Sequence, residues 1–220
     1  MTIYERALEF ICDGSTVGLG SGRAATDFVK LLGTRVQGGF QVRGVPASRT
    51  TAKLATQLGI PLVSLEDALP LDVAVDGADE VDPHLNLIKG FGRALVREKI
   101  VAAASKKLVI LVGRNKLVSK LGQRGKLPVE VVPFGLPLCR RRLLDLGCVP
   151  VPYTKDGSLF VTDNGNHILD CGIQLLADPV ELEAEIRAIP GVVGTGLFLG
   201  MADTVLIGDE EFRLMDEKAR

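Results

Sequence analysis

Apolar and polar positions along the first hundred residues alternate between two periods. Thr16-Val17-Gly18-Leu19-Gly20 is a short apolar run closed by glycine, which predicts a strand. From Arg23 on, Ala24, Ala25, Phe28, Leu31 and Leu32 share one helical face, predicting a helix that Gly33 ends. Phe40–Val45 predicts the next strand, and Ser48–Leu58 a helix with Ser48 as its N-cap. Leu62–Leu65 and Leu71–Val75 follow as strands and Arg93–Ala104 as a helix. Leu108-Val109-Ile110-Leu111-Val112 has the continuous apolar run of a strand covered on both faces. Strands alternating with helices predict an α/β fold around a parallel sheet.

The rhythm changes after Gly125. Val129–Val132 predicts a strand, Leu136–Leu146 a helix and Val149–Val151 a strand. Leu159–Thr162 and His167–Asp170 then flank Asn164-Gly165, a hairpin signal. Asp178 followed by Pro179 opens a helix to Ile189, and Val192–Leu199 is a further strand. This βαβ(β)βαβ order fits a smaller ferredoxin-like α+β domain with helices on one face of an antiparallel sheet. Thr204–Ile207 predicts a strand returning to the first sheet. The expected division is 1–126 plus 202–220 for the parallel-sheet domain. The small domain, 127–201, is inserted near the C-terminus.

Composition narrows the class. The 220 residues hold 26 Lys and Arg against 27 Asp and Glu, a net charge of −1, so no basic surface for nucleic acid is expected. Apolar residues make up 46% and charged ones 24%, too apolar for disorder, yet no run reaches the roughly 20 residues of a membrane span. The charged start Met1-Thr2-Ile3-Tyr4-Glu5-Arg6 differs from a signal peptide, and a soluble, cytoplasmic protein is expected. Cys12, Cys139, Cys148 and Cys171 form no C-x-x-C pair and are expected as buried reduced thiols. With only His84 and His167, neither in a nucleophile context, acid–base chemistry falls to carboxylates and lysines.

Four segments could carry that chemistry. Gly18-Leu19-Gly20-Ser21-Gly22-Arg23 stands between a strand and a helix, where N–H groups and the helix dipole suit a phosphate. It is neither a P-loop nor G-x-G-x-x-G, and a plain βα turn would use the same glycines. Asp76-Gly77-Ala78-Asp79-Glu80 follows a strand directly. Its acids could handle hydroxyl protons or hold a divalent ion, or serve as a solvated turn with a helix cap. Lys89-Gly90-Phe91-Gly92 precedes a helix apolar around nearly its whole circumference, with Glu98 inside it between Ala94 and Ala102. Burial there would raise its carboxyl pKa toward that of a general base; pairing with Arg97 or Lys99 is the alternative. Lys116, beyond the strand Leu108–Val112, could meet an anion or be a solvated loop residue. Together these suggest a small, phosphorylated, polyhydroxylated substrate.

At these residues the chain resembles ribose-5-phosphate isomerases of the A type. The resemblance rests on Gly18–Gly22, Asp76–Glu80, Leu87–Gly92, Leu95–Val101, Lys126–Val131, Thr162–Asn166, Ile189–Val193 and Gly196–Phe198, in family order along nearly the whole chain. It implies a Rossmann-like domain carrying a smaller α/β domain, and interconversion of ribose and ribulose 5-phosphates through an enediol(ate) without metal or cofactor. By position it implies Glu98 as the proton carrier, Lys89 as the oxyanion stabiliser, Asp76 for ring opening and Asp79 for substrate hydroxyls. It further implies Ser21, Gly22, Arg23 and Ala24 with Lys116 around the phosphate. Gly77, Ala78, Gly90, Phe91 and Gly92 would contact the substrate, and the assembly would be a homodimer or homotetramer. Four positions depart from the pattern: Arg23 and Ala24 replace hydroxyl residues, Phe91 interrupts a glycine run, and Arg93 stands where a small residue is common.

Overall fold

The computed structural model describes residues 1–219. In chain order the first elements are α1 (Ile3–Leu8), β1 (Ser15–Leu19), α2 (Arg23–Gln37), β2 (Val42–Pro46), α3 (Arg49–Gln57) and β3 (Val73–Gly77). The short strands β4 (Glu80–Val81) and β5 (Leu87–Ile88) precede α4 (Leu95–Ala103) and β6 (Leu108–Gly113). Then come β7 (Lys126–Val131), α5 (Leu136–Asp145), β8 (Val149–Pro152), β9 (Thr154–Lys155), β10 (Ser158–Leu159) and β11 (His167–Gly172). The chain closes with α6 (Pro179–Arg187), β12 (Val192–Thr195), β13 (Leu197–Phe198), β14 (Thr204–Gly208) and β15 (Leu214–Ala219).

Two compact units result: Met1–Ala78, Arg97–Leu117 and Met201–Arg220 form one, and Asp79–Val96 with Val118–Gly200 the other. The spacing of strands and helices assigns residues 79–96 to the first unit. Instead β5 pairs with both β4 and β13, which places that stretch with the second.

The first unit is built on a six-stranded sheet in the order β15-β14-β6-β3-β1-β2. Strands β2, β1, β3, β6 and β14 are parallel, and β15 adds an antiparallel edge. Side chains alternate across a sheet, so Val17 and Leu19 face one way and Gly18 the other. On the first face Val17, Leu19, Val75, Val109 and Leu206 share a core with Ile3 of α1, Phe28 and Leu32 of α2 and Ala55 of α3. On the second, a Cβ at Gly18 would overlap Val101 of α4, so the missing side chain is what seats that helix against β1. The parallel sheet covered on both faces is thus as its apolar runs imply.

The second unit holds the sheet β12-β7-β11-β8, antiparallel at every pairing. With α5 and α6 between its strands this is the expected ferredoxin-like arrangement. Cys139 and Leu143 of α5 and Ile186 of α6 join Val129, Val131, Leu169 and Cys171 in one core. Asp178 caps α6 by accepting from the Val180 and Glu181 N–H groups, at 3.0 and 2.9 Å.

Several expected boundaries move, each for a reason in the packing. Helix α2 runs through Gly33 to Gln37, and Gly33 is where Leu58 packs so closely that a Cβ would overlap it. Leu62–Leu65 forms no strand beyond a single bridge from Leu62 to Gly44. The hairpin lies at Asp156-Gly157, joining β9 to β10, rather than at Asn164-Gly165. The stretch Val192–Leu199 splits at Gly196, where a Cβ would collide with the Lys89 carbonyl, into strands of two different sheets. Helix α4 leaves Ile100 47% exposed, so it is not buried all round. Three of the four cysteines are buried and Cys12 is exposed; burial pushes the Cys171 thiol well above its ordinary range.

Candidate active site

Parallel strands deliver their following loops to one edge, and in the first unit β1, β3 and β6 are neighbours. Ser21–Ala24, Asp76–Ala78 and Lys116 therefore emerge side by side although they are far apart in sequence. Gly22 precedes α2 in a left-handed conformation, φ 88°, and no side chain caps the first turn of the helix. The exposed N-terminus suits an anion.

Asp76, 4% exposed, organises this edge. Its Oδ1 accepts the Ser21 N–H at 3.1 Å and the Gly77 N–H at 2.7 Å, tying glycine loop to acidic turn. A Cβ built at Gly77 would lie 3.5 Å from the Ala24 Cβ, so the two loops are in van der Waals range. Gly20 is required for a different reason, since a Cβ there would overlap the Asp76 carboxyl group. Gly20→Ala is expected to cost about 1–3 kcal/mol of stability, the usual penalty for overpacking. Urea denaturation would read it, and an unchanged midpoint would show that the carboxyl group has room to move.

Hydroxyl groups brace the glycine loop from behind. Ser21 Oγ donates to Ser48 Oγ at 3.2 Å, Ser48 Oγ to Thr51 Oγ1 at 2.9 Å, and Thr51 Oγ1 to the Gly20 carbonyl at 2.9 Å. Ser48 also caps α3 through the Thr51 N–H. The sequence shows the cap but not the relay to the loop, because Ser48 and Ser21 meet only once β1 and β2 pair. Arg23 is exposed and reaches the C-terminal hairpin, its guanidinium carbon 5.9 Å from the Phe212 ring centroid. Lys116 closes a single 3₁₀ turn, Arg114–Lys116, directly after β6.

Glu98 stands in the first turn of α4 and is 4% exposed. Val101, one turn further on, packs on Gly18 of β1. Helix α4 runs opposite to the strands, back toward the start of β6, so Glu98 lies toward the loop-bearing edge. The first unit thus brings Ser21, Gly22, Arg23, Ala24, Asp76, Gly77, Ala78, Glu98 and Lys116 to one end of its sheet.

Asp79, Lys89, Gly90, Phe91 and Gly92 belong to the second unit. Lys89 is 3% exposed; its N–H donates to the Gly196 carbonyl at 2.8 Å and its Nζ lies 5.4 Å from the Phe198 ring centroid. Gly90, at φ 97°, turns the chain against Leu95 where a Cβ would not fit. The three acids of the acidic turn have separate tasks. Asp79 Oδ2 accepts the Phe91 N–H at 2.9 Å, so it fixes the lysine loop. Glu80, fully buried, accepts the Gly122 and Arg124 N–H groups at 2.7 and 2.6 Å and is a structural anchor. Nothing in the sequence distinguishes these roles, since three acids within five residues at the end of a strand look alike.

The ribose 5-phosphate isomerase A (phosphoriboisomerase A) family profile matches residues 43–211 of this chain. The chain belongs to that family. A ribose-5-phosphate isomerase A of Roseiflexus sp. (strain RS-1) is 52% identical over 206 residues, covering 92% of this chain and 88% of the relative. The structure of ribose 5-phosphate isomerase A from Methanocaldococcus jannaschii superposes with a TM-score of 0.93 at 38% identity, covering 100% of this chain and 97% of the other. A D-ribose-5-phosphate isomerase in complex with phospho-erythronic acid gives 0.93 at 38% identity over 99% and 96% of the two chains. Likeness across all of both units makes this an isomerase-family chain in its whole length. Among the described residues no helix is long and apolar enough to cross a membrane.

Proposed function

We propose that this chain interconverts D-ribose 5-phosphate and D-ribulose 5-phosphate through an enediol(ate), with Glu98 as the base. The observation that carries the reading is Glu98 itself: a carboxyl group 4% exposed, at the sheet edge that also bears Asp76 and the glycine loop. Burying an ionisable group is costly, and such groups concentrate where their protons are used.

In this reading the N–H groups at the start of α2, with Ser21, Arg23 and Lys116, receive the phosphate. That anchors the substrate's far end and lends binding energy to positioning at C1 and C2. Asp76 assists opening of the furanose ring, and Asp79 holds substrate hydroxyls while bracing the lysine loop. Glu98 removes the proton from C2 of the open-chain aldose and returns it to C1, while the hydroxyl proton passes from O2 to O1. One proton leaves carbon and one returns, so no external redox partner is needed. Lys89 stabilises the negative charge on oxygen between the two transfers, where a fixed, water-poor charge counts most. Gly77, Ala78, Gly90, Phe91 and Gly92 line the sugar. The same reading includes a cytoplasmic homodimer or homotetramer, which light scattering would check.

The test is ribulose 5-phosphate formation from ribose 5-phosphate by the purified protein, with EDTA throughout and unphosphorylated ribose as the control. Turnover of the phosphosugar and not of ribose is expected. Folded protein that leaves ribose 5-phosphate unchanged would overturn the reading.

A further inference from the structure

Arg93, in the second unit, is held through both its backbone and its guanidinium. It lies four residues past Lys89 and closes that loop, its N–H donating to the Gly90 carbonyl at 3.0 Å. Its backbone is left-handed, φ 70°, a conformation uncommon for a residue with a side chain. Its guanidinium forks onto Asp170 of β11, Nη1 to Oδ1 at 2.5 Å and Nη2 to Oδ2 at 2.9 Å, and its Cζ lies 3.7 Å from the Tyr153 ring centroid. The pair is largely shielded from water, with 11% and 19% of the side chains exposed, and Arg93 Nε is buried without a hydrogen-bond partner. Lys126 adds a second cation 3.8 Å from Asp170 and 3.9 Å from the Phe91 ring centroid. Phe91 in turn is tied to Asp79 through its N–H.

A strained backbone, a partly buried ion pair and an unsatisfied Nε all weigh against this arrangement, and strain of this kind persists where the surroundings over-determine it. The loop they grip carries Lys89. We propose that Arg93 and Asp170, stacked on Tyr153, form a clamp that positions Lys89 for the reaction. The proposal rests on the role given to Lys89 above. Arg93 and Asp170 are positioning residues; they act through the loop. A bidentate fork fixes orientation as well as distance, which a lysine at the same place would not do.

Removing one partner leaves a largely shielded charge without its counter-ion, so the paired replacement Arg93→Met with Asp170→Leu is the cleaner probe, beside Arg93→Lys. Two readouts are taken on the full-length protein: amide hydrogen exchange at Phe91, and steady-state kinetics with ribose 5-phosphate. The paired variant is expected to exchange faster at Phe91 and to lose about tenfold to a hundredfold in kcat, the scale of a misplaced catalytic group. KM should stay within about twofold, because the phosphate loop belongs to the other unit, and Arg93→Lys should recover part of kcat. Unchanged exchange at Phe91 would overturn the clamp. Faster exchange with wild-type kcat would overturn its part in catalysis. Wild-type protein without isomerase activity would instead remove the role of Lys89, and exchange at Phe91 would still decide whether the clamp holds the loop.

Discussion

Replacing Glu98 by glutamine is expected to lower kcat by about two to four orders of magnitude, the range for losing a general base. Glutamine keeps the volume of the side chain and can still hydrogen-bond, so the small-residue setting between Ala94 and Ala102, both largely buried, need not repack. Only the capacity to take and return a proton is lost. KM should change little, since in the proposed function the start of α2 and Lys116, and not α4, receive the phosphate. The decisive measurement is the kcat and KM pair, with solvent-deuterium incorporation at C1 and C2 as a second probe of the proton transfer. A loss of less than about tenfold would contradict the role, because one positioned base is worth more than that.

Lys89→Met should rank second, with kcat reduced by about 10²- to 10³-fold, the cost of losing one preorganised donor to a developing oxyanion. Methionine fits the apolar part of the site beside Phe198, and the backbone bond from residue 89 to the Gly196 carbonyl does not involve the side chain. The fold should therefore survive, and circular dichroism with thermal melting would verify it. A charge that acts mainly in the transition state lowers kcat and kcat/KM together when removed. A rise in KM with kcat intact would recast Lys89 as a ground-state contact to the substrate.

Much of the scaffold behind these residues can be read from local pattern. The runs Val73-Ala74-Val75 and Leu108–Val112 are buried on both faces of a parallel sheet, and only continuous apolar sequence satisfies that environment. Helices α3 and α6 begin where Ser48 and Asp178 can accept N–H groups, a rule that depends on neighbours in the chain alone. Local rules misplace elements wherever a distant segment intervenes. Gly33 reads as a helix end, yet it admits Leu58 and the helix continues. Val192–Leu199 reads as one strand, yet Gly196 breaks it to let the Lys89 backbone approach. Asn164-Gly165 reads as a hairpin, yet Thr162, Asn164 and Asn166 all donate to one oxygen of the fully buried Glu130, so that loop is shaped around a carboxylate more than thirty residues away.

The amino-acid order by itself determined the two kinds of sheet, the chemistry-bearing turns after β1, β3 and β6 and the identity of the ionisable groups. Those depend on periodicity, on caps and on residue chemistry, all of which are local. Tertiary structure alone decided which acid does what: Asp76 against the Ser21 and Gly77 N–H groups, Asp79 against Phe91, Glu80 against Gly122 and Arg124. It also turned Arg93 toward Asp170, 77 residues away. A carboxylate's task is set by the donors that face it, and those arrive from parts of the chain whose distance along the sequence carries no sign of where the fold will bring them.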